Sequence, residues 1–403
     1  MSHSKEYPRR KSRRIYIRDV AIGDGAPITV QSMCTTDPHD VAATVKQIHA
    51  LEEAGCELVR ITIPDYQAAE AIAEIKKQTK VPLIADIHFN HKLALESMKY
   101  GIDALRLNPG NVDDPAKVGK VCDEAKARGI PMRIGVNSGS LPLDLVEKYG
   151  EPCAEAMVEA AFRHLEVLDH HGFKDYKVSV KSTNVRVMTE AYRMLAAQTD
   201  APLHLGLTEA GMAMKGVVTS TAGLAILLNE GIGDTIRVSL TGEPVQEVDV
   251  GFEILKHLGL RKHGMNVIAC PTCGRLAIDV EGMATRVALK YPNMKRSFDV
   301  AVIGCAVNGP GEAKDADIGV AGGKGVSAMY RNGKIVGRYR NHEIEAALYK
   351  EIDIFLSDDA NAEAARMAST VSAEEMEKAI EDEVRVAGGG DAPAPEKRLP
   401  VVG

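Results

Sequence analysis

The sequence predicts an α/β protein with an N-terminal (β/α)8 TIM barrel followed by a smaller α/β domain. Eight short apolar runs alternate with amphipathic stretches from Ile28 to about Leu240, and the pattern changes near Met265. A chain of 403 residues is long enough for two domains. We expect a barrel over 12–262, a second domain over 263–345, and a C-terminal helix with an acidic, disordered tail over 346–403.

The eight predicted strands are mostly apolar on both faces, as parallel strands covered by helices should be. In order they are ITVQSM, LVRITI, PLIADI, ALRLN, PMRIGV, KVSVK, PLHLGL and TIRVSL. The stretches between them, such as DVAATVKQIHALEEAG, have apolar residues at helical spacing and end in glycine, as at a helix C′ position. A doubly wound open sheet is the alternative. It rarely has eight regular units without a topological break, and no G-x-G-x-x-G follows a strand here.

Polar side chains gather at the C-terminal ends of these strands, where barrel active sites lie. The candidates are Arg60, Asp86, His88, Arg106, Asn108, Asn111, Arg133, Asn137, Lys181, Ser182, Asn184, His204, Glu209, Arg237 and Ser239. Five are cations at like positions of five strands, and burying them together is costly unless anions offset their charge. A substrate with two phosphate groups would supply those anions, with arginines making bidentate contacts.

Glu209 is the natural acid–base candidate in this set, because it follows the seventh strand and lies among the cations. Their field and the dryness of the pocket would set its pKa. The alternative is that Glu209 forms a structural ion pair with one of the cations.

Three cysteines of the second domain predict a metal site. Cys270 and Cys273 lie in CPTCG, and Cys305 ends the apolar run FDVAVIGC. A structural zinc site would need a second C-x-x-C or suitably spaced histidines, and the pair opens no βαβ unit of the thioredoxin kind. Buried, unligated thiols are the remaining alternative. We favour an iron–sulfur cluster, which usually takes four cysteines, so this set is one thiolate short.

Glu312 is the best local candidate for the fourth ligand, because Gly309-Pro310-Gly311 would let the backbone turn tightly and bring its carboxylate to the metal. Asp315, Asp317 and Cys34 are alternatives. A carboxylate holds iron less firmly than a thiolate, so that iron could exchange its ligand for a substrate oxygen. This favours catalysis at the cluster over electron transfer alone. The other cysteines, Cys56, Cys122 and Cys153, are predicted to be ordinary small core residues.

Composition excludes several functions. The net charge of −7, the absence of Trp and an aromatic content of 4% count against nucleic-acid binding. No apolar run approaches the roughly 20 residues that a membrane span needs. Free cysteines and the lack of a signal peptide predict a reducing cytoplasm. The acidic excess lies in the tail, since residues from 341 onward include 15 Asp/Glu and 6 Lys/Arg.

Taken together, VQSMCTTD, ADIHFN, RLNPGN, LGLTEAG, CPTCGR and VNGPGEAKDADIG resemble the 4-hydroxy-3-methylbut-2-enyl diphosphate synthases, in their two-domain bacterial form. The resemblance implies a [4Fe–4S] cluster held by Cys270, Cys273, Cys305 and Glu312, and a conserved acid at Glu209. It implies reductive ring opening and dehydration of 2-C-methyl-D-erythritol 2,4-cyclodiphosphate, bound in the cationic barrel mouth. It also implies reduced flavodoxin or ferredoxin as electron donor, and a head-to-tail homodimer. Cys34 and the acidic tail depart from the family pattern.

Two other functions compete. A pterin-binding barrel with an accessory cluster would have similar Asn/Asp-rich strand ends, but a pterin needs fewer than five cations. An electron carrier or redox sensor fused to an inert barrel would be non-enzymatic. It would have a fully thiolate-ligated cluster and would bind no diphosphate.

Overall fold

The computed structural model describes residues 8–108, 112, 114–292, 294 and 296–357. The chain divides into two compact units, the first ending at Lys262 and the second beginning at His263. Among the helices in the described ranges, none is both long enough and apolar enough to cross a membrane.

The first unit is a (β/α)8 barrel preceded by a short hairpin. Its strands are β1 (Ile15–Ile17), β2 (Val20–Ile22), β3 (Thr29–Met33), β4 (Leu58–Thr62), β5 (Leu83–Ile87), β6 (Ala104–Leu107), β7 (Met132–Asn137), β8 (Tyr176–Lys181), β9 (His204–Leu205) and β10 (Thr235–Ile236). Strands β3 to β10 pair in parallel in the order β8-β7-β6-β5-β4-β3-β10-β9, and a parallel bridge from Val178 to Leu203 joins β8 to β9. The predicted fold and all eight strands are confirmed, although β9 and β10 are shorter than their apolar runs.

Helices follow the barrel strands in alternation. They are α1 (Val41–Glu53), α2 (Tyr66–Gln78), α3 (His91–Lys99), α4 (Pro115–Arg128), α5 (Leu143–Tyr149), α6 (Ala154–His170), α7 (Val185–Gln198), α8 (Ala213–Asn229) and α9 (Pro244–His257). Asp or Asn side chains cap the N-termini of α1, α2, α3, α4 and α7, which fixes where each helix begins. Gly129 ends α4 in the left-handed region at φ 66°, where glycine carries no Cβ penalty.

The β1–β2 hairpin covers the N-terminal end of the barrel. Ile15, Ile17 and Ile22 are buried against Leu58 and Ile84, which stand near the starts of β4 and β5. This apolar plug excludes water from one end of the barrel. The other end, where the parallel strands finish, is left for the functional side chains.

The second unit is a five-stranded sheet in the order β11-β12-β13-β14-β15. Its elements are β11 (Met265–Ala269), α10 (Val280–Lys290), β12 (Phe298–Ile303), α11 (Gly309–Asp315), β13 (Ile318–Ala321), β14 (Val326–Arg331), β15 (Lys334–Arg340) and α12 (Ile344–Leu356). The first three strands are parallel and the last two form an antiparallel hairpin. Asn332 and Gly333 make its turn with φ 47° and 79°, as a two-residue hairpin requires.

Helix α12 belongs to the core of the second unit. Ile344, Leu348 and Ile352 are fully buried in the same apolar cluster as Val300 and Val320 of the sheet. The predicted C-terminal helix is therefore present, and it packs on the sheet that carries the cysteine loops. The predicted disordered tail beyond it, from residue 358, lies outside the described residues.

Candidate active site

Buried basic side chains are carried by several strands of the barrel. Arg60 lies on β4, Arg106 on β6 and Arg133 on β7, and each is at most 8% exposed. Lys181 ends β8 and Arg237 follows β10 directly. The structure thus places the five predicted cations on one barrel. A sixth, Lys177 on β8, is also buried and was not among the sequence candidates.

Asp86 on β5 organises two of the arginines. Its Oδ1 accepts a hydrogen bond from Arg106 Nη1 at 3.0 Å, and its Oδ2 lies 3.5 Å from Arg60 Nε. His88 Nε2 lies 3.4 Å from the same carboxylate and 3.1 Å from Arg106 Nη1. Burial opposes ionisation of Asp86, but Arg60, His88 and Arg106 outweigh it and hold its pKa well below the usual value. The Asp86 carboxylate is therefore a shared counter-ion that holds Arg60 and Arg106 in place.

Arg237 is held by two residues that the sequence did not reveal as site residues. Glu247 of α9 accepts from Arg237 Nε at 3.3 Å and from Nη2 at 3.2 Å. The Met33 sulfur lies 2.8 Å from Arg60 Nη2 and 3.7 Å from Arg237 Nη1, between the two guanidinium groups. These contacts join Arg60 on β4 and Arg237 after β10 across the end of β3, which lies between those two strands.

The β7–β9 side of the barrel has positive charge without a matching carboxylate. No ion pair with an acidic side chain involves Arg133, Lys177 or Lys181 among the described residues. Burial, reinforced by neighbouring cations, lowers the pKa of Lys177, Lys181 and His204 well below their usual values. Arg133 Nη1 donates to Ser179 Oγ at 2.6 Å, while its Nε and Nη2 have no hydrogen-bond partner in the described part of the chain. Such donors require an anion or water to satisfy them.

Glu209 borders a polar cavity of about 330 Å³ at the ends of β7, β8 and β9. Its lining residues are Asn137, Ser138, Gly139, Ser140, Pro152, Thr183, Thr208 and Glu209. Glu209 is exposed and has a φ of 53°, which is unfavourable for a residue with a Cβ. No described residue forms an ion pair with it, so the structural ion-pair alternative finds no partner. Strain of this kind clusters at functional sites.

The remaining polar candidates have diverse partners. Asn108 Nδ2 donates to Ser140 Oγ at 3.0 Å, and Ser239 Oγ donates to the Leu207 carbonyl at 3.1 Å. Asn184 caps α7 with its side-chain oxygen, and Ser182 Oγ accepts from the Asn184 backbone N–H at 3.1 Å. His204 Nδ1 pairs with Thr235 Oγ1 at 2.5 Å. The predicted candidate Asn111 lies outside the described residues.

The three candidate thiols stand on two loops at one edge of the second sheet. Cys270 follows β11 and Cys305 follows β12, and these strands are parallel neighbours. Cys270 Sγ accepts from the Gly304 N–H at 3.3 Å. Backbone N–H groups of Asn308 and Val307 lower the pKa of the Cys305 thiol, with help from Arg275. N–H···S contacts of this kind favour a thiolate, which is the form that binds a metal.

Glu312 lies in the first turn of α11 rather than after a tight turn. The expectation that Gly309-Pro310-Gly311 forms a turn is therefore wrong. The backbone N–H groups of a first helical turn have no partner within the helix, so proline, which has no N–H, loses nothing there. Pro310 is therefore accommodated in the first turn of α11. Among the described residues, no three His, Cys, Asp or Glu side chains lie close enough together to hold a metal ion.

The other cysteines are free thiols of the barrel unit. Burial raises the pKa of Cys34, Cys56 and Cys122 to about 12 in each case. Cys153 packs against the barrel core. An apolar environment that disfavours the thiolate is the opposite of a ligand site. Within the described part of the chain, no N–H···S contact like those at Cys305 reaches Cys34.

Comparison with known families accounts for both units. The model described as the GcpE TIM-barrel domain matches residues 12–252, and the GcpE protein C-terminal domain matches residues 266–354. The chain belongs to the GcpE family. The resemblance inferred from the sequence motifs is thereby confirmed.

Relatives of this GcpE chain carry an enzyme name. The 4-hydroxy-3-methylbut-2-en-1-yl diphosphate synthase (flavodoxin) of Thermodesulfovibrio yellowstonii is 54% identical, over 85% of this chain and 99% of the relative. Proteins of the same name from Geobacter sulfurreducens and Vibrio cholerae are 51% and 50% identical, over 86% and 87% of this chain and 99% and 94% of theirs. A dihydropteroate synthase structure from Stenotrophomonas maltophilia covers 62% of this chain and 97% of its own at 16% identity, with a TM-score of 0.46, too weak a likeness to bear on function.

Replacing Asp86 by Asn should destabilise the barrel, because Arg60 and Arg106 would lose their shared buried counter-ion. We expect the free energy of unfolding to fall by about 3–5 kcal/mol, measured by urea unfolding followed by circular dichroism. Asp144→Asn is the matched control. It removes a surface partner of Arg163 and should cost less than about 1 kcal/mol.

The effect of Asp86→Asn should also depend on pH. The folded pKa of Asp86 lies below its usual value of 3.8, so its stabilisation is complete above that value and is lost as the pH falls toward the folded pKa. The difference between the two proteins should therefore be constant above about pH 5 and shrink below about pH 4. Equal stability of Asp86→Asn and Asp144→Asn at neutral pH would show that Asp86 does not organise the arginines.

Proposed function

We propose that this protein catalyses the reductive ring opening and dehydration of 2-C-methyl-D-erythritol 2,4-cyclodiphosphate to 4-hydroxy-3-methylbut-2-enyl diphosphate. Family membership supports the reaction, since relatives that match this chain over 99% of their own length carry this enzyme name. The observation that carries the proposal within this chain is the set of buried barrel cations, which exceeds the carboxylates that face it.

The cationic barrel end suits the diphosphate group. Arg60 and Arg106 share Asp86, and Arg237 is paired with Glu247, so these arginines are fixed in direction before any ligand arrives. Arg133 and Lys181 have no acidic partner in the described ranges, so they are the basic groups left to meet an anion. A ligand with two phosphates would offset that charge and accept from preorganised donors. His88, Asn108, Asn137, Ser182, Asn184, His204 and Ser239 complete the proposed substrate site.

We propose that Cys270, Cys273, Cys305 and Glu312 hold a [4Fe–4S] cluster. The donor types suit such a cluster chemically, because three free thiols lie on loops after neighbouring strands. Cys270 Sγ accepts a backbone N–H bond, and backbone N–H groups lower the pKa of the Cys305 thiol. Glu312 is exposed on the first turn of α11 and is available to a metal. When bound, the cluster would supply electrons one at a time to the substrate.

The reaction balances with two electrons and one proton. The C–O bond to the ring phosphate breaks, a carbon–carbon double bond forms, and the C3 hydroxyl leaves as water. We assign the proton to Glu209, whose carboxylate borders a cavity lined by hydroxyl and amide side chains. Those side chains would orient the uncharged, hydroxyl-bearing part of the substrate, while the cations hold its phosphates.

Reduced flavodoxin, or a ferredoxin in its place, is the proposed electron donor. The name of these relatives specifies flavodoxin. The seven free cysteines suit a reducing cytoplasm, in which we place the reaction. A pterin-binding barrel or a non-catalytic electron carrier would leave the excess of buried cations unexplained.

Glu209→Gln should abolish turnover while preserving the rest of the protein. Glutamine keeps the shape of the side chain but cannot supply a proton, so kcat should fall by about 10²–10⁴-fold. The assay uses the anaerobically purified enzyme with a one-electron reductant, and the cluster EPR spectrum and substrate affinity should not change. Glu230→Gln, which alters a surface ion pair with Arg193, is the control. Turnover by Glu209→Gln near that of the control would refute the acid–base role.

We also propose that the enzyme is a head-to-tail homodimer in which the cluster unit of one chain serves the barrel of its partner. Mixing Glu209→Gln with Cys305→Ser protein would then restore one working site per mixed dimer. After random subunit exchange, activity should recover to about a quarter of the wild-type value, because half of the dimers are mixed and each has one intact site. Activity that stays at the level of the separate variants, with exchange verified by mass spectrometry of tagged chains, would contradict this arrangement.

A further inference from the structure

We propose that Glu247 is a positioning residue for the reaction, acting through Arg237. The inference rests on the proposed function, since it assumes that Arg237 binds the substrate phosphates. Glu247 lies on α9, in the helix layer rather than on the barrel strands that carry the proposed substrate site.

Glu247 is a buried carboxylate on the apolar face of its helix. It is 4% exposed, and its neighbours on the same face include Val248, Gly251 and Leu255. A buried carboxylate is costly unless it is paired and hydrogen-bonded. A glutamate on such a face therefore needs a specific set of donors, and the donors indicate what it does.

Four hydrogen bonds reach Glu247. Ser32 Oγ donates to Oε2 at 2.9 Å, and the Leu240 backbone N–H donates to Oε1 at 3.1 Å. Arg237 Nε donates to Oε2 at 3.3 Å and its Nη2 to Oε1 at 3.2 Å. Each carboxylate oxygen thus accepts one bond from the guanidinium and one from a neighbouring barrel segment. The carboxylate is therefore held by donors from the end of β3 and from the segment after β10.

Glu247 binds the edge of the Arg237 guanidinium that carries Nε and Nη2, which leaves Nη1 for a ligand. Nε and Nη2 are occupied by Glu247, whereas the Met33 sulfur at 3.7 Å is the one hydrogen-bond partner of Nη1 among the residues that the structure describes. Arginine donates in a rigid planar fork, so fixing one edge fixes the direction of the remaining N–H groups. Glu247 thereby sets the direction in which Arg237 can meet a phosphate, without itself touching the substrate.

Changing the carboxylate to a carboxamide should disturb this geometry. Glu247→Gln replaces one acceptor oxygen by an NH2 group that faces donors, so at least one of the four hydrogen bonds is lost. The KM and the Kd for the cyclodiphosphate should each rise at least about tenfold, since the bidentate pairing that orients Arg237 is broken. The iron content and the EPR spectrum of the substrate-free enzyme should stay as in the wild type.

The experiment compares anaerobically purified holoenzyme variants. Glu253→Gln is the matched control, because it removes an exposed carboxylate from the same helix and should leave KM within about twofold of wild type. Glu247→Asp keeps the charge on a shorter side chain and should fall between wild type and Glu247→Gln. If Glu247→Gln melts or loses iron, Glu247→Asp carries the test, and a KM equal to that of Glu253→Gln would overturn the proposal.

Arg237→Met separates this inference from the proposed function. Action through Arg237 predicts that the double variant Glu247→Gln, Arg237→Met binds substrate no more weakly than Arg237→Met alone. Losses that multiply would overturn the positioning role. If Arg237→Met binds weakly while Glu247→Gln binds normally, the inference fails and the phosphate site stands. If Arg237→Met itself binds like wild type, both the inference and the role of Arg237 in the proposed function fail.

Discussion

The burial of several cations in one barrel is the constraint on which the rest of this structure depends. Charged side chains leave water at a cost of several kcal/mol each unless partners offset it. Asp86 and Glu247 offset Arg60, Arg106 and Arg237 by direct contact. Arg133, Lys177 and Lys181 have no such partner in the described part of the barrel. The barrel therefore stores an affinity for anions that its substrate is suited to satisfy.

The surrounding elements make this arrangement possible. The apolar hairpin β1–β2 covers the N-terminal end of the barrel, so the cations are approached from the end at which the strands finish. Helix α9 places a carboxylate against Arg237 from outside the strands. Glu209 is held in an unfavourable backbone conformation beside the polar cavity. Each feature directs polar groups toward the same end of the barrel, which is where barrel enzymes carry out their chemistry.

Local sequence patterns were sufficient to predict much of this fold. Each of these signals is encoded within a few neighbouring residues. They are the eight runs that are apolar on both faces, the helices that end at glycines such as Gly129, and the Asn332-Gly333 turn. The five barrel cations were also predicted, because the C-terminal ends of all the strands in a parallel barrel lie at the same end of the barrel. The thiol pair and Cys305 were recognised from spacing and from family motifs.

Features that depend on distant partners were not predicted. Ile15 and Ile17 were not assigned to any element, yet they form the barrel plug by packing against strands 40 or more residues away. Nothing in the local sequence indicated that Met33 contacts two arginines or that Lys177 is buried near other cations. Glu247 left one usable signal, a glutamate on the apolar face of an amphipathic helix. Pro310 was interpreted as part of a turn although it lies in the first turn of α11, since proline suits both positions.

The most direct test of the central claim is the iron and sulfide content of the anaerobically purified protein. It is combined with the EPR spectrum of the reduced state before and after addition of the cyclodiphosphate. We predict about four irons per chain and a spectrum that changes when the substrate is added, because the substrate meets the cluster. Zinc in place of iron, or a four-iron cluster whose spectrum ignores the substrate, would contradict the assignment of catalysis to this site.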